Sequence, residues 1–161
     1  MKLALRPATE DERAFCEALT RSNLSAYLAA REMPWNTGRY RASWKAFENL
    51  VIVADGRAAG VLRLRAEGGA LEIRDLQVDP ASQRQGIGTW AIGQAKSLAA
   101  IRGFEWVRLR VFEENPARAL YARLGFGSEA IAAGKVQMAF AVLPGAPGDA
   151  SSAANTWTQR A

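Results

Sequence analysis

Two short stretches of this chain hold residue types at spacings from which chemistry could be built. Gln83-Arg84-Gln85-Gly86-Ile87-Gly88 leaves a predicted strand and opens a predicted helix with almost no side-chain bulk. Backbone N–H groups in such a turn can crowd a phosphate, and the helix dipole favours negative charge there. Further on, Asn115-Pro116-Ala117-Arg118-Ala119-Leu120-Tyr121 places a phenol on another predicted helix, shortly before Leu124-Gly125-Phe126. A pyrophosphate cradle and a remote tyrosine hydroxyl together outline a transferase that uses a nucleotide-bearing cofactor.

Composition narrows the chemistry further. The chain has 161 residues, is 49% apolar and contains no histidine. Imidazole bases, Ser-His-Asp triads and His-based zinc sites are therefore excluded, and no metal site is expected. Any general acid or base must be a carboxylate, Tyr, Lys, Cys or an ordered water. Cys16 is the single cysteine, so no intrachain disulfide can form. No stretch approaches the roughly 20 apolar residues of a membrane span. The N-terminal Met1-Lys2-Leu3-Ala4-Leu5-Arg6-Pro7 does not read as a secretory leader. These features predict a cytoplasmic protein with no membrane partner. The net charge of +5 suits an anionic ligand, but the basic residues are spread along the chain, which argues for a polyphosphate cofactor rather than nucleic acid.

Stepping along the chain, Leu3 to Arg6 reads as a strand stopped by Pro7, and Thr9 or Asp11 as a helix cap. Phe15, Ala18 and Leu19 predict one helix; Leu24, Tyr27 and Leu28 suggest another. Residues 31–49 hold Trp35, Tyr40, Trp44 and Phe47 without a clear period. The apolar run Leu50 to Ala54, the Asp55-Gly56 turn, the return strand Gly60 to Arg65, Gly68-Gly69 and Leu71 to Val78 predict an antiparallel meander. In the last strand Leu71 and Ile73 share one parity, Leu76 and Val78 the other. An extra residue near Arg74-Asp75 would return all four to one face, which predicts a β-bulge; the alternative is a strand apolar on both faces. A helix from Ile87 to Gly103, a strand from Glu105 to Val111, a short helix from Asn115 to Leu124 and two closing strands follow. Residues 1–143 are expected to form one domain, and the Pro-, Gly-, Ala- and Ser-rich stretch 144–161 to be a disordered tail.

The bulged strand, the Gln83-x-x-Gly86-x-Gly88 turn and the Asn115…Tyr121…Gly125-Phe126 segment together resemble the GNAT acetyltransferase superfamily over residues 2–142. The resemblance implies an α/β (α+β) fold. Its mixed, mostly antiparallel sheet would have six or seven strands with a bulged, splayed central strand, flanked by about four helices. It also implies acetyl-coenzyme A as cofactor, an amine acceptor and a possible homodimer. In one respect the chain departs from the family: the step from Asn115 to Tyr121 is one residue shorter than is common in it. A dinucleotide fold is the main rival, since Gly86-x-Gly88-x-x-Ala91 satisfies that fingerprint. Against it, Asp79 to Gln85 separates the glycines from their strand, and an antiparallel meander precedes them.

On the family's pattern, Gln83, Arg84, Gln85, Gly86, Ile87, Gly88 and Thr89 would hold the pyrophosphate. Leu76, Gln77 and Val78 would pair with the pantetheine amides, an N–H near Leu76 would meet the thioester oxygen, and Asn115 and Arg118 would support the cofactor. Asn115 is equally an N-cap candidate. Tyr121 would protonate the leaving thiolate. Glu72, which lies eleven residues before Gln83 as the base does in some protein-acetylating members, is the first candidate base and Asp75 the second. Either carboxylate could instead pair with Arg63, Arg65 or Arg110. Trp35, Tyr40 and Trp44 could line the acceptor pocket or pack in the core. Arg63, Arg65, Arg74 and Arg108 are candidates for an acceptor carboxylate. The function expected is direct acetyl transfer to a primary amine of a small molecule. The alternatives are acetylation of a protein lysine or N-terminus, or a non-catalytic acyl-coenzyme A sensor.

Overall fold

The computed structural model describes residues 1–142; the tail expected over 144–161 lies outside them. Seven strands form one sheet in the order β1-β2-β3-β4-β5-β7-β6. They are β1 (Leu3–Pro7), β2 (Glu48–Ala54), β3 (Arg57–Glu67), β4 (Ala70–Val78), β5 (Trp106–Phe112), β6 (Gly127–Ala132) and β7 (Lys135–Ala141). Four α-helices accompany them: α1 (Arg13–Ala30), α2 (Thr37–Ala46), α3 (Ile87–Arg102) and α4 (Ala117–Arg123). Every pairing with a defined register is antiparallel except β4 with β5. Contacts divide the chain into two compact units.

The first unit comprises Met1–Arg65 and Arg74–Gly88. Its β2–β3 hairpin turns at Asp55-Gly56, where φ is +49° and +82°. Two left-handed residues make the primed turn whose twist matches the strands, so the Asp-Gly pair acts as the sequence predicts. α1 is one continuous helix rather than two, because no breaker interrupts Leu19 to Leu24. α2 begins where the sequence shows no clear period. Asn36 Oδ1 caps it by accepting the Arg39 N–H (2.9 Å), and Tyr40 and Trp44, one turn apart, give it a buried face. Cys16, Leu19, Tyr40, Trp44, Val51 and Val61 form the core here. Trp44 and Trp35 donate their indole N–H groups to Glu10 (3.2 Å) and Glu17 (3.0 Å). Tyr40 and Trp44 thus pack in the core, the second of the two roles their types allow, and Trp35 packs against the same core.

The second unit comprises Ala66–Ile73 and, of the described residues, those from 89 to 142. β4 enters it as a strand buried on both faces: Ala70, Leu71, Glu72 and Ile73 are all buried, as expected of a strand in parallel pairing. Its ladder with β5 runs from Ala70↔Trp106 to Ile73↔Leu109. α3 contributes Ala91, Ile92, Ala95, Leu98 and Ala99 to the buried set and ends at Gly103, φ +79°. α4 is shorter than the sequence suggests. It starts at Ala117, whose N–H donates to Asn115 Oδ1 (2.9 Å). Lys96 donates to the Leu124 carbonyl just past the end of α4, with its ammonium 3.9 Å from the Phe140 ring centroid. β6 carries a surplus residue at Glu129, and in the first unit β3 carries one at Ala59 opposite the Ile52–Val53 step of β2; the sequence announces neither.

The predicted irregularity of β4 can be read from register. Counted from the Gly68-Gly69 turn, Asp79 lies one residue further along the chain than Ala59, yet the Asp79 N–H donates to the Ala59 carbonyl (2.8 Å). β4 therefore carries a surplus residue. Arg74 and Asp75, consecutive in sequence, both reach one face. The Arg74 guanidinium is 5.1 Å from the Phe47 ring, and Asp75 meets Arg63, whose guanidinium is 4.9 Å from the same ring. Two neighbouring residues opposing one partner are the mark of a bulge. The close approach of β3 to the end of β4 depends on Gly60, where a Cβ would run into the Gln77 carbonyl oxygen. Gly60→Ala should lower unfolding free energy by about 1–3 kcal/mol, because the obstacle is backbone. A shift of the urea midpoint at unchanged slope is the expected readout.

Candidate functional site

In the first unit the segment from Arg74 to Gly88 carries most of the predicted binding residues. Its turn has left-handed backbone at Arg84 (φ +63°) and at Gly86 (φ +82°). Alternation of this kind points successive N–H groups into one concavity, an anion nest. Among the described residues, no protein acceptor takes the N–H groups of Arg84, Gln85, Gly86, Ile87 or Gly88. A helix leaves its first amides without internal partners, and here nothing else in the described chain caps them. A Cβ built on Gly86 or Gly88 meets nothing within 4 Å, so nothing crowds either glycine on its Cα side. Thr89 sits in the first turn of α3. The left-handed conformation of Arg84 is a feature the sequence does not show, since only glycine advertises it.

Upstream, the end of β4 has two unlike edges. Gln77 turns its carbonyl to Gly60 of β3, so by strand alternation the main-chain groups of Leu76 and Val78 face away from β3. The Val78 carbonyl already accepts from Asn23 Nδ2 (3.1 Å) and from Gln83 Nε2 (3.0 Å). Asn23 also donates to Gln77 Oε1 (3.2 Å). Gln83 therefore does its work through its side chain, tying the turn back to β4. What this edge offers a ligand reduces to the Leu76 N–H and carbonyl and the Val78 N–H. The sequence does not single out Asn23; its one signal is a short polar side chain inside a helix, where such residues are poor helix formers.

Asp75 and Arg63 form an ion pair at 2.8 Å, with side chains 15% and 2% exposed. Arg63 also donates Nε to Asn49 Oδ1 (2.9 Å) and Nη2 to Ser43 Oγ (2.6 Å). The Tyr40 ring covers its guanidinium at 4.3 Å. All three nitrogens are occupied, so Arg63 does not serve as the acceptor-carboxylate ligand that its type suggested. Burial pushes the Asp75 carboxyl up from its ordinary range, opposed by the attraction of Arg63, a hydrogen bond from Gln77 and the charge of Arg74. An arginine inside the apolar run Val61-Leu62-Arg63-Leu64 was the available sign of such a pair, because a buried charge must be matched.

In the second unit Tyr121 lies on α4, half-buried, with its ring 6.1 Å from Phe126. Burial pushes its phenol up from the ordinary value, so the proton is held firmly at neutral pH. Glu72 is 8% exposed and stands opposite Arg108 in the parallel ladder. Arg108 pairs with Glu129 at 3.1 Å. Asn115 uses its Oδ1 on the Ala117 N–H, and the Arg118 guanidinium lies 3.5 Å from the Glu113 carbonyl, at the outer limit of a hydrogen bond. The predicted residues thus fall into two groups. Asp75, Leu76, Gln77, Val78 and Gln83 to Gly88 lie in the first unit; Glu72, Thr89, Asn115, Arg118 and Tyr121 lie in the second.

Two outcomes test this geometry. Gly86→Ala should cost about 1 kcal/mol in a denaturant titration, since its backbone is left-handed while the space beside it is empty. Cys16 is fully buried, and burial raises its thiol to about 11. Iodoacetamide at pH 8 should therefore leave it unlabelled in the native protein and label it in urea, by mass spectrometry; native labelling would contradict the packing.

Residues 15–126 match the model of the acetyltransferase (GNAT) family. The mycothiol acetyltransferases of Clavibacter michiganensis subsp. michiganensis (strain NCPPB 382) and Clavibacter sepedonicus are 42% and 40% identical over 79 residues, which is 48% of this chain and 26% of each relative. The chain thus spans about a quarter of the curated relatives it matches. PaiA N-acetyltransferase from Thermoplasma acidophilum, solved in complex with coenzyme A, superposes with a TM-score of 0.70 at 16% identity, over 88% of this chain and 99% of that one. The ribosomal-protein-S18-alanine N-acetyltransferase of Escherichia coli gives 0.70 at 18%, over 91% and 97%. Such identities bear on the fold alone, whereas the family model covers most of the chain. Among the described residues no helix is long and apolar enough to cross a membrane. The chain belongs to the acetyltransferase (GNAT) family.

Proposed function

We propose that this chain binds acetyl-coenzyme A and transfers its acetyl group directly to a primary amine of a small molecule. The observation that carries the reading is the row of N–H groups from Arg84 to Gly88 without acceptors among the described residues, at the start of a helix and with neither glycine crowded. A pyrophosphate has the charge and the number of oxygens to occupy such a nest. The Leu76 and Val78 edge offers two donors and an acceptor, a set matched to the amides of the pantetheine arm.

Acetyl-coenzyme A supplies an acyl group activated as a thioester. The residues of the chain supply binding and proton movement. The Leu76 N–H is the candidate donor to the thioester oxygen as charge grows there. Glu72 is the candidate base that takes the proton of the acceptor amine, directly or through water. Asp75, engaged by Arg63, serves as counter-ion to that arginine and not as the base. Tyr121 Oη holds the proton that the departing sulfur needs, and its raised pKa keeps that proton in place at neutral pH. Asn115 and Arg118 shape the start of α4 and so the placement of Tyr121. The curated relatives are named for mycothiol rather than for a protein, which favours a metabolite acceptor over a protein lysine.

An amine panel assayed by release of free thiol from acetyl-coenzyme A tests the activity, with calorimetry for cofactor binding. Tyr121→Phe should lower kcat by about 10²-fold or more with little change in cofactor affinity, the scale of a lost general acid. The protonated phenol is the active form, so the wild-type rate should hold through neutral pH and fall only as pH rises past its raised pKa. That alkaline limb should disappear in the variant. A well-folded wild type that takes up neither coenzyme A nor its acyl ester would refute the reading.

A further inference from the structure

The register of β4 poses a choice between two residues. In a regular hairpin from the Gly68-Gly69 turn, the residue opposite Arg63 would be Arg74, and Asp75 would point to the other face. Two arginines directly opposed across strands repel each other. The surplus residue of β4 removes that arrangement. It brings Asp75 onto the face of Arg63, at 2.8 Å, and lets Arg74 lie over Phe47. Arg63 is itself held on every side: Asn49 from β2, Ser43 from α2 and the Tyr40 ring leave it a single orientation. Its position is therefore set independently of β4, and β4 must come to it.

The consequence reaches the main chain. A slip of one residue exchanges which groups of a strand face its partner. In the bulged register Leu76 and Val78 turn away from β3 and Gln77 turns towards it. In the regular register Leu76 and Val78 would be taken up in the ladder with β3. We propose that Arg63 is a positioning residue for cofactor binding: its buried guanidinium, acting through Asp75, pins β4 in the register that leaves the Leu76–Val78 edge to the cofactor's arm. The inference rests on the reading above and adds to it a residue that touches no ligand.

Its signature is selectivity. The amides of Arg84 to Gly88 lie beyond the pinned stretch, so loss of the pin should weaken coenzyme A, which needs the β4 edge, and spare ADP, which carries the pyrophosphate without the arm. Calorimetry on wild type, Arg63→Lys and Asp75→Asn compares the two ligands. Arg63→Lys keeps the charge and loses the fork of donors, and so is not a conservative change at such a site. We expect coenzyme A affinity to fall about tenfold or more in both variants, with ADP affinity held within about twofold. Retained ADP binding also reports that the fold survives. If either single variant does not fold, the double variant Arg63→Met with Asp75→Leu removes both charges together, a change that cores often tolerate, and should show the same selective loss. Equal losses for both ligands, or no loss for either, would overturn the role of Arg63 while leaving the proposed activity standing. A wild type that binds neither ligand would overturn both.

Discussion

A main-chain amide must find an acceptor, and between Leu76 and Gly88 several find none among the described residues. Specific contacts in the first unit hold the backbone around it. Asp79 keeps its N–H on the Ala59 carbonyl, and its side chain accepts from Ala81. Those two bonds end β4 and open the turn in a fixed direction. Beyond them the backbone alternates into left-handed conformation at Arg84 and Gly86, and among the described residues none caps the helix that follows. An unpaired amide exposed to water costs little, because water occupies it. The same amides offered together to an anion give a site with no side-chain entropy to lose.

Such a backbone needs a rigid surround. α2 supplies one through Tyr40, Trp44 and Ser43, which enclose Arg63 with aromatic rings and a hydroxyl. A guanidinium so enclosed would be costly if unmatched, and Asp75 is the residue that matches it. α1 holds the other end of the same stretch through Asn23. Side chains from two helices and two neighbouring strands thus converge on five residues of β4, Arg74 to Val78. In the second unit Lys96 does comparable work at the end of α4, bridging the Leu124 carbonyl and the Phe140 ring, and Gly125 admits that ring at a distance a side chain would contest. The proposed base, Glu72 on β4, and the proposed acid, Tyr121 on α4, lie in this same unit.

Much of this was legible in the sequence because it depends on local rules. Asp55-Gly56 announces its hairpin through the conformations those residues tolerate. The parity break between Ile73 and Leu76 announces the surplus residue, since a strand cannot otherwise keep four apolar residues on one face. The glycines at 86 and 88 announce an uncrowded turn. α2 was not legible, because its signal is a cap at Asn36 and only two buried aromatics, too few for a period to stand out. The apolar spacings at 15–19 and 24–28 predict two helices where α1 is one, and Asn23, between them, reaches β4.

The sequence by itself determined the succession of the seven strands, the bulge, the glycine turn and the tyrosine helix, for each follows from residues that are neighbours along the chain. Tertiary structure alone decided which arginine is sealed inside and which carboxylate answers it. It also decided that Asn23 and Gln83 share the Val78 carbonyl, and that Arg84 is left-handed. Those outcomes depend on partners distant in sequence, and a charged side chain carries no mark of its partner until folding has removed the water between them.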